Sequence, residues 1–196
     1  MRLNLFKRLE DLNKVISLET LEQRFVPALK DLSEDKNWRI KLSVVEQYPA
    51  LAKQLGEQFF TDKLLSICLN WLSDCVYSIR IAAIENLKQL SKIFGSNWAD
   101  RNVLKKLIDL KNDQNYLHRL TTLFGIAELS QVLSSECVQK NFVPVLHQMS
   151  KDRVPNIRMN VAKTIMQIRK RFSGSQITQV ENSIQTDLLQ ILNELK

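Results

Sequence analysis

A chain of 196 residues, 44% hydrophobic and 25% charged, can bury one sizeable core and has the composition of an ordinary globular protein. Four glycines and four prolines are too few for an antiparallel sheet protein rich in turns, and the abundance of Leu, Lys, Glu and Gln favours helix. The net charge of +7 admits an acidic protein surface, nucleic acid or an anionic membrane as partner, yet no run of five like charges marks a nucleic-acid tail.

Taken in chain order, apolar spacing predicts helices over about 2–16, 19–33, 37–55, 58–73, 76–94, 97–111, 115–133, 135–150, 154–172 and 176–194. They alternate in kind with a fixed period. Arg2, Lys41, Arg80, Arg119 and Arg158 stand 39 residues apart, and Asp35, Asp74, Asp113 and Asp152 each precede a cation by six. Around each cation the apolar columns repeat. One residue before it stand Met1, Ile40, Ile79, His118 and Ile157; seven after it, Leu9, Tyr48, Leu87, Ile126 and Ile165. Ten after it stand Leu12, Leu51, Leu90, Leu129 and Ile168, so the second helix of each unit carries one apolar stripe. Fifteen after it come Ser17, Gly56, Gly95, Ser134 and Ser173, small residues that suit a helix end. The first helices carry their own stripes, such as Leu64, Cys68 and Trp71. Pro27 and Pro144 share one column there, which predicts a kink.

One such helix pair cannot bury its apolar faces alone, but stacked pairs can. The expected fold is therefore all-α: an α-α superhelix of antiparallel pairs in a single domain over 1–196. It divides into a half unit at 1–17, repeats at about 18–56, 57–95, 96–134 and 135–173, and a C-terminal helix at 174–196. That last helix is out of register, since Ile191 stands where the next Asp would fall. The Asp and cation columns have a structural reading. Asp35, Asp74, Asp113 and Asp152 are placed to cap the second helices. Lys41, Arg80, Arg119 and Arg158 are placed to reach an Asp of the same or an adjacent repeat.

Three residues before each cation stand Trp38, Tyr77, Tyr116 and Pro155. Large aromatic residues give much contact area at low entropy cost, so one per repeat makes an extended binding edge. The competing reading packs them against neighbouring turns. Arg39 is the natural polar companion of Trp38, able to hold a carboxylate. Ser78, Leu117, His118, Val154 and Asn156 complete the candidate partner-binding set. Trp71, Trp98, Phe59, Phe60, Phe94 and Phe142 read as core.

No catalytic or metal constellation stands out. Cys68, Cys75 and Cys137 are odd in number and lack metal-knuckle spacing; His118 and His147 are the only histidines. No nucleophile, base and orienting group fall together, so no catalytic residue, metal or cofactor is expected and the chain is read as non-enzymatic. No signal-peptide run opens the sequence and no stretch of 18 apolar residues spans a membrane, which points to the cytoplasm or nucleus.

Helix pairs near 40 residues, proline in the first helix and Asp six before Arg resemble HEAT repeats. Residues 1–172 resemble, more closely, the C-terminal repeats of the scaffold (A) subunit family of protein phosphatase 2A. Trp38-Arg39-Ile40, Gln54-Leu55-Gly56-Glu57-Gln58-Phe59-Phe60, Tyr77-Ser78-Ile79-Arg80, Asn115-Tyr116-Leu117-His118-Arg119 with Thr121-Thr122-Leu123-Phe124, and Asn156-Ile157-Arg158 carry the likeness. The final 24 residues do not, and Lys41 departs from the usual ladder arginine. The resemblance implies a scaffold whose catalytic subunit docks on the turns of the last repeats. Regulatory subunits of that family dock mainly on earlier repeats, most of which this chain lacks. The rival reading is a nucleic-acid-binding protein or DNA glycosylase of HEAT-like fold with a basic concave face. Lys151, Arg153, Arg158, Lys163, Arg169, Lys170 and Arg171, opposed only by Asp152, permit it. The spread of cations over all repeats and the position of the aromatics in turns speak against it.

Overall fold

The computed structural model describes residues 23, 24, 26–172, 186 and 189–193. The half unit at 1–17, the N-terminal helix and most of the C-terminal helix expected at 176–194 lie outside the described residues. Every described element is a helix or turn, and the chain is all-α, of the helical-repeat solenoid class. None of these helices is long and apolar enough to cross a membrane. The chain divides into two compact units, at Ile93 and Phe94.

The first unit contains α1 (Val26–Ser33), α2 (Trp38–Val45), α3 (Tyr48–Leu55), α4 (Glu57–Lys63), α5 (Leu65–Asn70) and α6 (Tyr77–Phe94). The helix expected over 37–55 is therefore two helices. Pro49 enters at the N-terminal turn of α3, and the chain breaks at Glu46–Gln47 because proline has no N–H for the carbonyl of Val45. The amide of Asn86, a buried residue on α6, donates to that carbonyl instead at 2.5 Å. The stripe residues Tyr48, Leu51, Leu87 and Leu90 are buried as the period requires, as are Val45 and Ile84, four residues after each cation; Phe94, read from the sequence as core, is half-buried, as is Leu55 in the same column. Tyr48 packs edge-on against Trp71 (centroids 4.5 Å apart) and Phe60 (5.9 Å). Trp71 donates its ring N–H to the carbonyl of Ser33 at 3.5 Å.

The second unit contains α7 (Ser96–Asn102), α8 (Leu104–Asp109), α9 (Tyr116–Leu129), α10 (Ser135–Asn141), α11 (Val143–Met149) and α12 (Pro155–Phe172). α9 packs along α12, burying Leu123, Ile126, Leu129, Ile157, Val161, Ile165 and Ile168. The Thr122 hydroxyl, fully buried, donates to the carbonyl of Leu107 at 3.1 Å. Ile191 is buried at the far end and, with Val143, Pro144 and His147, lines a pocket.

Every fully described first helix breaks, and proline is not the common cause. The breaks fall at Leu64, Val103 and Phe142, with φ near −116°, −112° and −97°. Only the last is followed by a proline two residues on; Ser66 and Lys105 occupy that column elsewhere. All three are large apolar residues with no exposed surface, and their N–H groups still donate four residues back. The bend keeps its backbone bonds while turning each apolar side chain fully inward.

Candidate protein-docking turns

Each unit presents two turns that open a second helix: Asp35 to Trp38 and Asp74 to Tyr77 in the first, Asp113 to Tyr116 and Asp152 to Pro155 in the second. The local sequence builds all four alike. The Asp Oδ1 accepts the N–H two residues on: Asn37 at 2.7 Å, and Val76, Asn115 and Val154 each at 2.8 Å. This differs from the expected direct helix cap. The carboxylate holds the turn, and where Asn follows it is Asn that caps: Asn37 accepts from the Arg39 N–H at 3.1 Å and Asn115 from the Leu117 N–H at 3.0 Å. Val76 and Val154 stand at that position in the other two turns.

The cation column fastens the turns from the other side. Arg80, Arg119 and Arg158 donate to the carbonyls of Asp74, Asp113 and Asp152, six residues earlier, at 2.8, 2.9 and 2.9 Å. Arg119 also grips the Asp152 carboxylate through Nε (2.8 Å) and the second terminal nitrogen (3.0 Å), linking successive repeats within the second unit. In the first unit Lys41 pairs with Asp74 at 2.7 Å. A lysine ammonium cannot fork as a guanidinium does. Burial alone would raise the pKa values of Asp74 and Asp152, but their cations and the N–H groups of Val76 and Val154 outweigh it, and both fall below the ordinary carboxylate range. Asp113 is lowered too, first by its hydrogen bond with His118 (3.0 Å), then by the Asn115 N–H.

With the turns fixed this way, the residue that opens each second helix points outward. Trp38 is 36% exposed, Tyr77 56% and Tyr116 42%, and Pro155 is exposed as well. Part of each ring is therefore open to a partner, and the remainder is covered by the protein. The Arg39 guanidinium lies 4.7 Å over the Trp38 ring, and that of Arg80 5.7 Å over Tyr77. Ser78, Leu117 and Asn156 are exposed; Val154 is half-buried, its N–H held by Asp152; His118 is half-buried against Asp113. Two exposed methionines on α12, Met159 and Met166, were not anticipated. Their seven-residue spacing, off the apolar stripe, was the signal. Among the described residues, no three His, Cys, Asp or Glu side chains are grouped to hold a metal ion. Burial pushes the Cys68 thiol up to about 12, far from nucleophilic use.

Residues 64–94, which take in α5 and α6, match the HEAT repeat family. No curated protein matches the sequence. Among solved structures, the chain is similar to that of Cex1p (TM-score 0.59, 17% identity, 88% of this chain and 34% of that one). It is also similar to a chain of the Kap95p–RanGDP structure (TM-score 0.63, 11% identity, 97% of this chain and 27% of that one). The fold is a helical-repeat solenoid. The chain spans about a third or less of the length of these two, and at such identities the likeness is one of fold.

Proposed function

We propose that this helical-repeat protein is a non-enzymatic scaffold, acting in the cytoplasm and nucleus, that docks a protein partner on its intra-repeat turns. The partner is the catalytic subunit of a phosphatase of the protein phosphatase 2A type. The observation that supports this reading is the partly exposed, outward placement of Trp38, Tyr77 and Tyr116 on turns held by Asp, and at Tyr77 and Tyr116 also by Arg. Aromatic side chains held on a rigid frame lose little entropy on binding, and they sit where the turn motifs resemble the phosphatase scaffold family. Arg39, stacked on Trp38, adds a donor for a carboxylate. The RanGDP complex of the structurally similar Kap95p is in keeping with a protein-binding role for this fold. Docking sets which substrates reach the phosphatase, while the chemistry belongs to the partner.

The test is capture of a purified phosphatase catalytic subunit by the full chain, with duplex DNA as a parallel ligand. The wild type binds the phosphatase, and Trp38→Ala with Tyr116→Ala weakens that binding at least about a hundredfold, two hot-spot losses of roughly 1.4 kcal/mol or more each. No binding by the wild type, or unchanged binding by the double variant, overturns the proposal. Tighter, salt-dependent binding to DNA returns the nucleic-acid reading.

A further inference from the structure

Much of the basic excess of the chain lies on α12, which runs on from the turn at Pro155. Pro155–Phe172 contains five cations and no acidic residue. Its buried side is Ile157, Val161, Ile165 and Ile168. On the opposite side Met159, Lys163, Met166 and Lys170 follow one another at steps of four, three and four, and all are exposed, Met159 by 52% and Met166 by 56%. At 3.6 residues per turn these four fall within an arc of about 60° and a line of about 16 Å. Apolar and cationic side chains thus alternate along a single stripe.

We propose that this stripe is a second docking surface, for a helical protein segment carrying apolar side chains seven residues apart with carboxylates between them. The charge of α12 is complementary to such a segment, and the spacing of its methionines matches the two-turn repeat of a partner helix. Thioethers are flexible and adapt to differing apolar partners. A phosphate backbone would engage Lys163 and Lys170 but gain nothing from drying two methionines placed in line with them. The apolar contacts supply the affinity and the lysines set the polarity of the partner, since exposed ion pairs by themselves contribute little.

Fluorescence anisotropy with the full chain tests this at about 0.15 M salt. The probe is a labelled synthetic helical peptide of about 14 residues, a little longer than the stripe. It carries two leucines seven apart and glutamates between them. Controls are the same peptide with serine for leucine, one with lysine for glutamate, and a short duplex DNA. The acidic leucine peptide binds with a Kd on the order of 10 µM, and Met159→Gln with Met166→Gln weakens it about tenfold. Lys163→Glu with Lys170→Glu weakens it about tenfold and transfers the preference to the lysine peptide. All four side chains are exposed, and unchanged circular dichroism confirms that the variants fold. The proposal is overturned if the acidic leucine peptide does not bind, if the serine peptide binds as well, if charge reversal fails to transfer the preference, or if duplex DNA binds more tightly.

Discussion

Arg119 holds the Asp152 carboxylate by two hydrogen bonds, at 2.8 and 3.0 Å, while the same guanidinium holds the carbonyl of Asp113 in its own turn at 2.9 Å. One side chain thus fastens the turn it belongs to and the turn that follows. Both partners are nearly buried, with side-chain exposures of 7% and 11%.

Removing the acid is the more damaging change. Asp152→Ala leaves a largely buried guanidinium without its carboxylate and removes the acceptor for the Val154 N–H. The expected cost is about 3 kcal/mol in urea unfolding followed by circular dichroism. Arg119→Lys keeps a charge for Asp152 but loses the fork to the turn carbonyls, as at Lys41, and costs about 1–2 kcal/mol. A negligible cost for Arg119→Lys beside the full cost of Asp152→Ala would show that charge alone, without geometry, does the fastening.

These carboxylates also set an acid limit. Asp74, Asp113 and Asp152 have folded pKa values below the unfolded value of about 3.9. A depressed folded pKa gives stability that is complete above the unfolded value and lost as pH falls through the folded one. Unfolding free energy is therefore expected to be flat, as far as these groups go, down to about pH 5 and to decline below about pH 4. Asp152→Asn, measured over the same range, shows a shallower decline; an unaltered slope would remove Asp152 from this account.

Asn86 serves the carbonyl that Pro49 cannot. Asn86→Leu strands that buried carbonyl of Val45 and is expected to cost about 1–3 kcal/mol. In a Pro49→Ala background the restored N–H can reach the same carbonyl, so the cost of Asn86→Leu shrinks. Additive effects of the two changes in a double-mutant cycle would contradict the exchange.

The small-residue column solves the step between repeats in two ways. Gly56 and Gly95 have φ of 81° and 93° with ψ of 167°, a region open to glycine alone, and each joins the end of one helix directly to the next. Ser134, in the same column, has φ −67° and caps α10 by accepting the Cys137 N–H at 3.3 Å. Gly95→Ser is therefore expected to destabilise by about 1–3 kcal/mol, although it installs the residue found one repeat later. A gain in stability would mean that the loop had switched to the Ser134 conformation.

The period of 39 was legible because a stacked repeat needs the same apolar columns each time, and Ile79, Leu87, Leu90 and their counterparts are buried accordingly. The outward aromatics were legible as a column but not as exposed, since position −3 borders the buried stripe; the fastening of each turn decides where Trp38 and Tyr116 point. Three things were not legible. Breaks at Leu64 and Val103 carry no proline or glycine, and fall where a fully buried apolar residue stands. The division of labour between Asp and Asn at the caps depends on which N–H faces which oxygen. The bond from Asn86 to Val45 joins residues 41 apart and has no trace in local pattern.

Tyr48 is the polar member of an apolar column whose other places hold Leu9, Leu87, Ile126 and Ile165. Its ring is fully buried against Trp71 and Phe60, and its hydroxyl has no hydrogen-bond partner. Burial holds the phenol well above its ordinary pKa, so it stays protonated, a donor with nothing to receive it. An unmade hydrogen bond in a dry core costs more than a made one contributes. Tyr48→Phe keeps both edge-on ring contacts and removes only the hydroxyl. It is therefore expected to stabilise the protein by about 1 kcal/mol, raising Tm by roughly 2–4 °C for a chain of this size. Tyr48→Leu, which matches the column but loses the aromatic cluster, is expected to destabilise by about 1–3 kcal/mol. A fall in Tm for Tyr48→Phe would mean that the hydroxyl is satisfied in solution; a rise for Tyr48→Leu would mean that the ring contacts contribute less than the cavity they fill.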